Sequence, residues 1–272
     1  MVKWYSPSSL KEALDLMAEQ EVKPFAGGTD LMFGLRTDID YLYLKTIPEL
    51  KRIYADDEYV HIGAAATLTE AYESPVVPAL MKEAIYNSGS PAVRNAGTMG
   101  GNLGNGSDKA DTVLIMFAAD TKLLLASREG ERIVDIDKFH IKRKTLDLRK
   151  GELIVEVLLP RHGLDNYFYE KSSGRNSMSI TFVSFAGVFD MKDGRITNVS
   201  ATFGAAGDAI QRFKDLESTM IGKTIEEARQ MKEEYVKAYS ERLIYNQSRV
   251  GPGFQKYVCR KLLEGFLEKF GI

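Results

Sequence analysis

Apolar residues recur at helical spacing near the start of the chain. Leu10, Ala13, Leu14 and Met17 fall on one face, and Ser9 with Glu12 forms a capping-box pattern ahead of them. A short apolar strand over 22–26 then runs into Gly27-Gly28-Thr29-Asp30. A short helix is expected from Leu31, capped by Thr29 or Asp30. Residues 41–44 and 59–65 read as further strands, and 68–88 reads as helix interrupted at Pro75 and Pro78. Strand and helix thus alternate through the opening third, which is an α/β pattern.

Residues 97–106 contain five glycines in ten positions and are expected to form no regular element. Beyond them Asp111 can cap the apolar stretch 112–119. Strands follow over 122–126, 132–136 and 152–159, the last ended by Pro160. The pattern changes near residue 165. Residues 166–171, 179–190 and 195–203 read as strands, the last two joined through Lys192-Asp193-Gly194, where Asp-Gly signals a hairpin. Two amphipathic helices close the chain, one begun by a Thr224/Glu227 capping box and one spanning about 253–270. The expected organisation is a unit over 1–163 and an α+β unit over 164–272.

Composition removes several function classes. The chain has 272 residues with 36 basic and 38 acidic side chains, a net charge of −2. That balance gives no electrostatic reason to expect a nucleic-acid or membrane partner. A single cysteine, Cys259, excludes an intramolecular disulfide, a cysteine-held iron–sulfur cluster and a thiolate zinc site. Three scattered histidines (His61, His140, His162) argue against an all-protein metal centre. Without an apolar leader or an 18-residue apolar run, a cytoplasmic protein is expected.

Familiar catalytic signatures are missing. Gly222-Lys223-Thr224 resembles the end of a P-loop, but that motif requires glycine where Glu217 stands, so a turn and helix cap are expected. Two glycine-rich loops remain, 25–32 and 97–106. Consecutive glycines at a strand-to-helix junction let backbone N–H groups converge on an anion. About four to six hydrogen bonds to a charged group, each contributing roughly 1.5–3 kcal/mol, can exceed the ~8 kcal/mol of a micromolar complex. The second loop matches no dinucleotide fingerprint, because the register from Gly104 ends at Lys109. Trp4, the tyrosines at 41 and 43 and Cys259 read as core, His61 as a satisfied structural histidine, and Lys142-Arg143-Lys144 as a solvated loop.

These two loops carry a family resemblance. Phe-Ala-Gly-Gly-Thr-Asp-Leu at 25–31, behind the helix with Ser9-Leu10-Lys11-Glu12-Ala13, and Val93-Arg94-Asn95-Ala96-Gly97-Thr98-Met99-Gly100-Gly101-Asn102, followed by Asp111, resemble the flavin loops of the FAD-binding subunits of molybdenum hydroxylases. Residues 105–111 most resemble bacterial xanthine dehydrogenase medium subunits, and the single cysteine separates the chain from the benzoyl-CoA-reductase-like branch.

The resemblance implies an α+β fold: a two-part FAD-binding domain of the vanillyl-alcohol-oxidase (PCMH) type, its two lobes split near residue 55, then a C-terminal α+β domain. It implies that Phe25, Ala26, Gly27, Gly28, Thr29, Asp30, Leu31 and Met32, with Thr98, Met99, Gly100, Gly101 and Asn102, surround the FAD pyrophosphate. Asp111 would bond ribityl or ribose hydroxyls, and Ser88, Ile154 and Lys171 would lie near the flavin. It further implies that no side chain acts as a catalytic base or nucleophile. Electrons would come from [2Fe-2S] clusters on a small partner subunit, fed by a molybdopterin-bearing large subunit, and leave to NAD or another acceptor. The alternatives are a self-sufficient flavin oxidoreductase on the same fold, the FAD subunit of a hydroxylase with another substrate (nicotinate, an aldehyde or carbon monoxide), and a binding subunit that has lost its flavin.

Overall fold

The computed structural model describes residues 2–174, 181–246 and 250–272. Strands Trp4–Tyr5, Val22–Phe25 and Asp40–Tyr43 pair in parallel, with Asp40–Tyr43 in the middle. Helix Leu10–Glu19 makes the crossover and buries Ala13 and Leu14. Only half of its capping box forms. Ser9 Oγ accepts from the Glu12 amide, whereas the Glu12 carboxylate accepts from Ser8. Tyr41 is fully buried as expected, but Trp4 stacks on it from the rim and is 48% exposed.

The second lobe is a five-stranded antiparallel sheet in the order Ile53–Ala55, Tyr59–Gly63, Leu153–Pro160, Lys122–Ser127, Gly130–Asp135. Leu153–Pro160 is central and buried at every position but the last, which explains its unbroken apolar sequence. Two expectations fail in the helical layer beside it. Within 97–106, Met99–Gly104 is an α-helix, begun by Thr98, whose Oγ1 accepts from the Gly101 amide at 3.0 Å. Gly100 serves close packing, because a Cβ there would stand 2.5 Å from the Ala64 Cβ. Asp111 does not cap helix Asp111–Ala118 from outside. It is the helix's first residue, and its carboxylate is engaged elsewhere.

Strands Tyr167–Ser173, Thr181–Lys192, Arg195–Gly204 and Gln211–Arg212 form an antiparallel sheet in chain order. The first positions of the strand expected over 179–190 lie outside the described residues. Asp193 and Gly194, both at positive φ, turn the expected hairpin. Helices Ile225–Arg242 and Gly251–Lys269 cover one face of this sheet around Phe185, Phe203, Tyr239 and Phe266. Cys259 is buried among them, and burial pushes its thiol up to about 12. The other face packs on Asp111–Ala118, a helix buried at all eight positions. Ser200 Oγ donates to the Ala118 carbonyl at 2.8 Å and Arg212 Nη1 to the Phe117 carbonyl at 2.6 Å, so the C-terminal sheet satisfies the end of that helix. The two units share one core through it.

Candidate functional site: a cleft between the two lobes

A cleft of about 500 Å3 separates the parallel sheet from the antiparallel lobe, and both glycine-rich segments line it. In the first, Gly28 sits at φ +67°, and the Met32 amide closes the turn on the Gly28 carbonyl at 3.0 Å. The expected helix from Leu31 is one 3-10 turn, Leu31–Gly34, and Asp30 makes no side-chain cap. The backbone amides from Gly27 to Leu31 therefore donate to no acceptor among the described residues. Open N–H groups on cleft-lining residues form a nest for negative charge.

The second segment differs from the expectation of a matching nest. The Met99 and Gly100 amides donate to the Ala66 and Ala64 carbonyls at 3.0 and 2.9 Å, and the Gly101 and Asn102 amides donate to Thr98. Those donors are committed to the helix. What this segment offers is surface and side chain. Asn102 Oδ1 accepts from Thr112 Oγ1 at 2.9 Å, which leaves its NH2 without a protein acceptor among the described residues. The two segments touch: a Cβ on Gly27 would fall 2.1 Å from the Ala96 carbonyl oxygen.

Of the residues expected at the site, Ala26 to Leu31, Ser88, Thr98, Gly100, Gly101, Asn102 and Ile154 line the cleft. The remaining five do not. Phe25 lies behind Gly28, with its ring 2.4 Å from where a Cβ would stand, and the Met32 side chain packs at the same point. Met99 is fully buried in the core. Asp111 and Lys171 are paired with each other at 2.6 Å, and Tyr169 donates to the second Asp111 oxygen at 3.1 Å. Burial pushes the Asp111 carboxyl above its ordinary range, opposed by the Lys171 ammonium. Lys171 Nζ also donates to the Asn87 carbonyl at 3.1 Å, so this buried pair braces the wall carrying Ser88.

Sequence reasoning missed Lys144, Leu148 and Glu152, which also line the cleft. Lys144 turns the hairpin between strands His140–Lys142 and Thr145–Leu146. Its amide donates to the Gly106 carbonyl and its Nζ to the Asn105 carbonyl, both at 2.7 Å. The contact joins segments 39 residues apart, and no local pattern announces it. Glu152 is held by both arms of Arg132 at 2.7 and 2.9 Å, and these bonds keep its carboxyl below the ordinary range.

A split two-lobed cleft with an anion nest and apolar walls suits a cofactor that joins a pyrophosphate to a planar ring system. Residues 1–162 match the family described as FAD binding domain in molybdopterin dehydrogenase, and residues 167–270 the CO dehydrogenase flavoprotein C-terminal domain. The chain is 30% identical over 230 residues to the putative xanthine dehydrogenase FAD-binding subunit of Escherichia coli K12, covering 79% of this chain and 78% of that one. It is 29% identical over 240 residues to the nicotinate dehydrogenase FAD-subunit of Eubacterium barkeri, covering 81% and 79%. In fold it resembles the solved Cu,Mo-CO dehydrogenase, with TM-score 0.88 at 22% identity over 98% of this chain and 96% of that one.

The chain belongs to the family of FAD-binding subunits of molybdenum hydroxylases, and it is an oxidoreductase subunit whose cofactor is FAD. Its residues fit that cofactor: unclaimed amides suit a pyrophosphate, and Leu31, Leu44, Val93, Leu153 and Ile154 supply apolar wall for planar rings. Among the described residues, no helix is long and apolar enough to cross a membrane.

Proposed function

We propose that this chain holds FAD non-covalently in the inter-lobe cleft and relays electrons within a molybdenum hydroxylase complex. The donors are [2Fe-2S] clusters on a small partner subunit, reduced in turn by a molybdopterin-bearing large subunit, and electrons pass on to NAD or another acceptor. The observation that carries this reading is the run of unclaimed amides from Gly27 to Leu31 at the mouth of an apolar cleft.

In this reading the Gly27–Leu31 amides bind the pyrophosphate, with Thr98, Gly101 and the Asn102 NH2 closing on it from the facing lobe. Ser88 and Ile154 flank the ring system. Asp111, Lys171 and Tyr169 position the Ser88 wall through the Asn87 carbonyl. Bound FAD supplies the redox chemistry that couples one-electron donors to a two-electron acceptor. The protein's own work is to bind it, orient it and keep water from its buried edge. Relatives named as medium subunits of nicotine 6-hydroxylase and carbon monoxide dehydrogenase support assembly with further subunits.

Acid precipitation of the purified chain tests the binding mode. A yellow supernatant containing FAD is the expected result, since neither a histidine nor the cysteine lines the cleft. Flavin that stays with the pellet would contradict non-covalent binding.

A further inference from the structure

The nest meets only part of what a diphosphate requires. The FAD diphosphate is doubly anionic, whereas backbone amides are neutral dipoles. On the facing lobe even the dipoles are spent, because the Met99, Gly100, Gly101 and Asn102 amides are all committed. Charge from that side has to come from a side chain.

Four charged residues line the cleft: Lys23, Asp30, Lys144 and Glu152. Glu152 is neutralised by the two arms of Arg132. Lys23 and Asp30 belong to the lobe that carries the nest, and their charges offset each other. Lys144 is the remaining charge on the facing lobe. Its ammonium has only neutral partners, the Asn105 carbonyl at 2.7 Å and Asn105 Oδ1, and its third N–H has no acceptor among the described residues. Asn105 also lines the cleft, so the ammonium stands at the cleft wall. It is exposed and carried on a flexible four-carbon stem, and it can turn to an anion without breaking an ion pair.

The backbone at Lys144 points the same way. It lies in the left-handed region at φ +59°, which is strained for lysine and persists only where the surroundings impose it. Here they do. The Arg143 amide donates to the Asp208 carbonyl and the Lys144 amide to the Gly106 carbonyl, both at 2.7 Å. Gly106 approaches so closely that a Cβ on it would stand 3.1 Å from the Lys144 Cα. The hairpin tip is thus pinned to the second glycine-rich segment and to the C-terminal unit at once. Strain held in this way at a cleft wall is characteristic of ligand clamps.

We propose that Lys144 is the facing lobe's counter-charge for the FAD diphosphate, acting from the hairpin tip on the anion that the Gly27–Leu31 amides hold from the other side. The proposal rests on the reading that FAD occupies this cleft, and it adds to that reading a residue that sets cofactor affinity by charge.

The full chain, stripped of flavin and titrated with FAD, tests this through quenching of flavin fluorescence at two salt concentrations. About 0.01 M and about 1 M are suitable, because the screening length falls from roughly 30 Å to roughly 3 Å between them. Wild-type affinity should fall with salt. Lys144→Met removes one charge-assisted interaction and should bind FAD about tenfold or more weakly at low salt, with the gap narrowing at high salt. Lys144→Arg keeps the charge and should retain most of the wild-type affinity and its salt response. A residue that merely holds the hairpin on Asn105 would give a Met variant with the same deficit at both salt concentrations, and that result would overturn the proposal. So would wild-type affinity in Lys144→Met, or an equal loss in Lys144→Arg. A wild-type chain that takes up no FAD at either salt would overturn the cofactor reading itself, and this proposal with it.

Discussion

Gly28 illustrates how much of this site turns on single residues. Its positive φ and the Phe25 ring 2.4 Å from a would-be Cβ leave no room for a side chain. Gly28→Val should cost about 1–3 kcal/mol of backbone strain and empty the cleft of FAD, read as the flavin-to-protein absorbance ratio. Gly101 is different: its backbone is not in the left-handed region, and a Cβ there meets only the Thr98 hydroxyl at 2.8 Å. Gly101→Val should reduce flavin occupancy chiefly by crowding the cleft and loosening a cap of about 1 kcal/mol. Equal, full occupancy in both variants would mean that neither glycine faces the cofactor. The glycine pattern was legible in the sequence. Which amides remain free was not, because the Met99 and Gly100 donors are taken by Ala66 and Ala64 carbonyls more than thirty residues away.

His61 is a second residue-scale test, this time of pH dependence. Its ring stacks on Tyr54 and bridges Glu156 at 2.8 Å and Asp56 at 2.9 Å. Burial works to lower its pKa, but the bonds to the two carboxylates outweigh it and the net shift is upward. The Tyr59 amide and His61 hold Asp56 down at about 2. A raised folded pKa means that the clasp's stabilisation is complete below the ordinary value of 6.5 and is lost as pH rises through the folded value. The difference in urea midpoint between wild type and His61→Ala should therefore be largest in mild acid and shrink in alkali. A difference independent of pH would contradict the clasp.

At the scale of elements, local signals were legible and long-range ones were not. The Thr224/Glu227 box forms with both bonds, and Asp193-Gly194 turns its hairpin, because each is specified within four residues. The helix Met99–Gly104 was unreadable because Gly100 answers to Ala64, across the lobe. Asp111 looked like a cap because its true partners, Tyr169 and Lys171, lie about sixty residues on. That pair joins the buried helix to the first strand of the C-terminal sheet. Lys171→Met should destabilise the protein by about 3–5 kcal/mol, since it leaves a buried carboxylate alone. Replacing Asp111 as well by a neutral residue should recover a large part of the loss in chemical denaturation. Additive losses would show that the two side chains act independently.

At the scale of the whole molecule, the alternation of strands and helices followed by a strand-rich C-terminal half was readable from pattern. The shared core was not. Asp111–Ala118 is buried from one side by its own lobe and from the other by the C-terminal sheet, so the two family-matched segments should unfold in one cooperative transition. Coincident melting by fluorescence and far-ultraviolet circular dichroism is expected, and two separated transitions would contradict a common core.

The relay itself is tested by the absorbance of the flavin under anaerobic conditions. The FAD-loaded chain mixed alone with xanthine should stay yellow. With its iron–sulfur and molybdopterin partners restored, the complex's own substrate should bleach it. Bleaching of the isolated chain by xanthine would contradict the account and make this a self-sufficient oxidoreductase.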